Sequence, residues 1–69
     1  MEIIFTKHAQ EMLIFRNIPK DFVTQCIEIP DEILPARENK KIYLKNFGRN
    51  YLKVVVSKDN THFVIITLH

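Results

Sequence analysis

The chain has 69 residues, 46% hydrophobic and 26% charged, with a formal net charge of +2 and one cysteine. These values exclude a disordered segment and an internal disulfide framework, and they sit near the lower size limit for a domain that folds alone. No apolar run reaches the length of a bilayer span and no signal-peptide pattern opens the sequence, so a single cytoplasmic domain over residues 1–69, away from membranes, is expected.

In chain order, Glu2 to Phe5 reads as a short strand. Thr6 stands where an N-cap belongs, ahead of a helix over 7–16 with a stripe of Ala9, Met12, Leu13 and Arg16. Asn17 tolerates the left-handed conformation that ends helices, and Ile18-Pro19 restarts the chain because proline is accepted at a helix start. Phe22, Val23, Cys26 and Ile27 recur at helical spacing, Ile29 continues the pattern, and Pro30 stops it. Glu32 to Arg37 is predicted as a strand that Pro35 confines to an edge or a bulge.

The last third alternates apolar and polar residues in three runs, Ile42 to Phe47, Tyr51 to Ser57 and Thr61 to Leu68. Gly48-Arg49-Asn50 and Lys58-Asp59-Asn60 read as three-residue hairpin loops, each ending in a left-handed Asn. Counting outward from such loops sets Phe47 opposite Tyr51, Lys45 opposite Lys53, Leu44 opposite Val54, Val56 opposite His62 and Val54 opposite Val64. The even-numbered Ile42, Leu44, Leu52, Val54, Val56, Val64, Ile66 and Leu68 then form one apolar face. The odd-numbered set (Tyr43, Lys45, Phe47, Tyr51, Lys53, Val55, Phe63, Ile65, Thr67) forms a mixed face, joined by Arg49 and His69. The expected architecture is α+β, in the order β-α-α-β-β-β-β, with two helices packed on one face of a mainly antiparallel twisted sheet.

Between Lys40 and Asp59 there are six Lys or Arg and one acid, whereas Asp31 to Asn39 holds three acids and one Arg. This basic excess points to an anionic partner, or equally to a solvated face that lysines protect from edge pairing. Lys45 opposite Lys53 asks for an anion between them unless the two side chains splay into solvent. Tyr43, Phe47, Tyr51 and Phe63 suit base stacking or a protein interface, with the interface slightly favoured. His8, in the first helical turn, can accept a proton or hydrogen-bond the backbone where strand meets helix. His62 reads as structural and Cys26 as core. The His and Cys residues lack zinc spacing and the single Gly excludes a glycine-rich phosphate loop, so neither metal nor cofactor is expected.

Phe5-Thr6-Lys7-His8-Ala9, Arg16-Asn17-Ile18, Ile29-Pro30-Asp31-Glu32 and Val64-Ile65-Ile66-Thr67 together resemble a widespread uncharacterised prokaryotic family. Its pattern runs T-x-H-A, R-G-I, P-D-E and V-V-T, and the family looks related to RelE, ParE and BrnT-type toxins. Asn17 replaces the family's usual Gly, and Met12 stands where a second basic residue is often found. The resemblance implies a RelE-like fold, a cognate antitoxin, and metal-independent cleavage of mRNA, with the ribosome's help, on an open basic-aromatic sheet face. His8, Lys45, Arg49, Lys53, Tyr51 and His69 are the candidate catalytic residues, and Tyr43, Lys45, Arg49 and Lys53 the candidate RNA contacts. The competing expectation is a non-enzymatic interaction module of the same fold that binds an antitoxin or self-associates into a homodimer.

Overall fold

Thr6 both starts the first helix and anchors it. Its Oγ1 accepts the Ala9 amide at 3.1 Å and donates to the Ile65 carbonyl at 2.9 Å, 59 positions down the chain. In the computed structural model, which describes residues 2–59 and 61–69, β1 (Glu2–Phe5) leads through Thr6 into α1 (Lys7–Phe15). Asn17 adopts φ 55°, and the bonds Asn17 N–H to Ile14 carbonyl and Ile18 N–H to Leu13 carbonyl close a Schellman end. Pro19 precedes α2 (Lys20–Glu28), which buries Val23, Cys26 and Ile27. Ile29 does not extend the stripe. It caps the helix with non-helical dihedrals and is largely exposed.

Four strands follow: β2 (Glu32–Pro35), β3 (Lys40–Asn46), β4 (Tyr51–Lys58) and β5 (His62–Leu68). The sheet order is β1-β5-β4-β3-β2, with β1 parallel to β5 and the remaining pairs antiparallel. The result is the expected α+β arrangement, with two helices on one face of a five-stranded mixed sheet. Pro35 ends an edge strand, where its missing N–H costs nothing. Between β2 and β3, Glu38 and Asn39 both take positive φ in a tight turn closed by Lys40 N–H to Arg37 carbonyl.

The hairpin registers differ from the count. The first loop holds four residues, Phe47 to Asn50, closed by the Phe47 amide on the Asn50 carbonyl, with Gly48 at φ 96°. Asn50 is not left-handed, and the expected left-handed Asn60 lies outside the described residues. Lys45 therefore pairs with Leu52, Leu44 with Lys53 and Tyr43 with Val54. One residue of slip turns every β3 side chain over. A bulge at Ile66 of β5, opposite the Val55–Val56 step of β4, sets Val54 against Leu68 but Val56 against Ile65.

The core beneath the helices is consequently Ala9, Leu13, Val23, Cys26, Ile27, Tyr43, Leu52, Val54, Val56, Ile65 and Leu68. Ile42, Leu44 and Val64, expected inside, point the other way. Tyr43 and Ile65, expected outside, are buried. No helix of the described residues is long and apolar enough to cross a membrane.

Candidate functional site

The lysine pair expected to carry the site is split between the two faces of the sheet. Lys45 lies on the helix side, where its Nζ donates to the Ile29 carbonyl at 2.8 Å and stands 3.8 Å from Asp31 Oδ1. It neutralises the C-terminal end of α2, whose last turn carries no basic residue of its own. Tyr43 is buried under the helices with its ring edge-on to Phe63, so neither Tyr43 nor Lys45 belongs to an open face. Phe47 stacks on Phe22 at 4.4 Å and 7°, and Phe63 carries the Lys58 ammonium over its ring. The face away from the helices is mainly aliphatic.

A different grouping forms where the α1–α2 turn meets the start of β4 and the residue after β5. Arg16, Asn17, Ile18, Pro19, Phe22, Phe47, Asn50, Tyr51, Leu52 and His69 line a cleft of about 250 Å³. Each element is brought there for a local reason. The Schellman end turns Arg16 out of the helix, the four-residue loop delivers Asn50 and Tyr51, and paired bonds between the Lys53 and His69 backbones hold His69 beside β4. Phe22 and Phe47 close the floor.

His69 is held below its ordinary value of 6.5, chiefly by burial and then by the positive charges of Lys53 and Arg16. Its imidazole is thus neutral at pH 7, with two cations close by. Tyr51 is about half exposed at the rim. Arg49, at the loop tip, is exposed and outside the cleft lining. His8 is also outside it. Its Nε2 lies 3.1 Å from Thr67 Oγ1, and Thr6 rather than His8 makes the backbone contact at the strand–helix junction. His62 bridges Glu2 at 3.2 Å and Asp59 at 3.3 Å, a structural position.

Of the expected site residues, Tyr51 and His69 come together in the cleft and Lys53 stands next to it. Arg16 and Asn50 were missed. In the sequence Arg16 belongs to the helix stripe and Asn50 to a hairpin loop. The R-x-I element of the resemblance marked Arg16, but no spacing linked it to Tyr51 or His69.

Cys26 offers no nucleophile. Its Sγ is buried against the Tyr43 carbonyl at 3.4 Å, and burial pushes the thiol up to about 11. Among the described residues no three His, Cys, Asp or Glu side chains converge as a metal site.

The chain belongs to a family described as a domain of unknown function, DUF4258, whose model matches residues 5–69. No solved structure matches it.

Proposed function

We propose that this DUF4258 chain is a toxin-like endoribonuclease of a toxin–antitoxin type module, acting on mRNA through the Arg16–Tyr51–His69 cleft. The observation that carries the reading is the meeting of Arg16, Tyr51 and His69 in one cleft, where burial and nearby positive charge favour the neutral His69 imidazole. The short motifs resemble those of an uncharacterised prokaryotic family that looks related to RelE, ParE and BrnT-type toxins, and they support the reading as an analogy of sequence.

The chemistry follows from the groups present. Neutral His69 takes the proton of a ribose 2′-hydroxyl, and the oxygen attacks the adjacent phosphorus. Arg16 offsets the charge growing on the phosphate. The P–O5′ bond breaks and Tyr51 supplies the proton to the departing 5′-oxygen, leaving a 2′,3′-cyclic phosphate and a 5′-hydroxyl. No step calls for a metal.

The test is induced expression in a bacterial host together with purified chain on single-stranded mRNA, with and without ribosomes. Growth arrest and cyclic-phosphate ends are expected. His69→Gln should lower the cleavage rate by about 10²-fold or more while leaving the fold intact. Folded protein that neither arrests growth nor cleaves RNA, even with ribosomes, sinks the reading.

A second reading, the non-enzymatic interaction module, is favoured by one specific observation. Ile4, Leu34, Ile42, Leu44, Val55 and Val64 all lie on the sheet face that no helix covers. It is the reading to adopt if binding to an antitoxin is found without cleavage.

A further inference from the structure

The uncovered face has an internal pattern. Strand pairing places Glu32, Leu44 and Lys53 side by side in one row, and Leu34, Ile42 and Val55 in a parallel row next to it. Both rows are centred on β3. The first reads acid–apolar–base and the second is wholly apolar. Among the described residues neither Glu32 nor Lys53 has an ion-pair partner in the chain, although Glu38 holds Lys40 and Asp31 holds Lys45.

We propose that a second copy of this chain covers the β2–β4 part of the face, packed sheet to sheet about a two-fold axis that runs along β3. Rotation about that axis exchanges the positions of β2 and β4. Leu44 and Ile42 then meet their own counterparts, Leu34 meets Val55, and Glu32 of each copy meets Lys53 of the other. An isologous interface requires such a self-complementary patch, and this one supplies two ion pairs flanking an aliphatic centre. A partner of arbitrary sequence would have no reason to match an acid and a base set symmetrically about β3.

The axis sets β2, β3 and β4 of one copy over β4, β3 and β2 of the other and leaves β5 and β1 beyond the overlap. Three strands spaced about 4.8 Å apart and roughly 20 Å long give a footprint on the order of 300 Å² per copy. Two copies therefore bury about 600 Å², the size of a weak, transient contact, so the association is reversible and concentration-dependent. The inference deepens the interaction reading by naming what covers the face. It does not depend on RNA cleavage, and the two assays fail independently.

The deciding experiment is sedimentation equilibrium of the whole chain from the micromolar to the millimolar range, with Glu32→Lys, Lys53→Glu and the double charge swap, each checked for folding by circular dichroism. The natural chain should move from 8.2 kDa towards twice that mass. Each single variant should weaken association by about ten-fold or more, because it sets like charges against each other twice, and the double swap should restore it. A natural chain that stays monomeric overturns the proposal. So does a dimer that ignores the single changes, or one that the double swap fails to rescue.

Discussion

Lys45 reaches across from the sheet to the Ile29 carbonyl, 2.8 Å away, and so caps a helix that has no cation of its own in its last turn. With Asp31, whose amide donates to the Leu44 carbonyl and whose Oδ2 accepts the Asn46 amide, it laces α2 to β3. The residue that looked most like an anion contact is a fastening between layers.

That position predicts a stability effect without a binding effect. Lys45→Met keeps the aliphatic stem but loses the charge-assisted bond, and should cost about 1–2 kcal/mol, since the side chain is 18% exposed and partly screened. Urea melts measure it. The salt dependence of RNA binding should be unchanged by Lys45→Met, whereas Arg16→Ala should flatten the slope of log affinity against log salt by about 0.7.

Val54 has no exposed surface, sits on the central strand of the sheet and belongs to the core on the helix side. Val54→Ala should cost roughly 1–3 kcal/mol through lost burial and the space left behind. Leu44→Ala, on the uncovered face, should cost less when measured at concentrations that keep copies apart. Equal losses in denaturant melts would contradict the assignment of faces.

The depressed His69 gives stability a defined pH dependence. Its folded value lies below 6.5, so between the two values the unfolded chain binds the extra proton. The contribution is complete above about pH 6.5 and is lost as pH falls through the folded value. His69→Gln should remove that slope. An NMR titration of the imidazole reads the folded value directly, and a midpoint at or above 6.5 would contradict the placement of Arg16 and Lys53 around the ring.

Cys26 should behave as a reporter of unfolding. With its thiol pushed up to about 11 and its Sγ buried, it should resist alkylation in the native chain and react only as fast as the structure opens. Alkylation followed by mass spectrometry, compared with unfolding rates, checks this. Fast labelling under native conditions would mean that the α2–sheet contact opens locally.

What the sequence determined by itself was whatever depends on near neighbours. Thr6 caps three residues onward, Asn17 ends its helix through φ, Pro30 stops α2, and Pro35 marks an edge. These signals are local because the bonds that satisfy them close within one or two turns. The tertiary structure decided the faces. Whether Phe47 belongs to a strand or a loop shifts the hairpin by one residue, and a period of two turns that single step into Tyr43 inside and Leu44 outside. Alternation alone misleads on β3, where the aliphatic Ile42 and Leu44 face away from the helices and Tyr43, between Lys41 and Lys45, lies beneath them, and on β4 both faces carry aliphatic residues. The cleft was further beyond reach: Arg16, Tyr51 and His69 share no spacing, and they meet only because the Schellman end, the four-residue loop and the β4–β5 ladder converge at one end of the sheet.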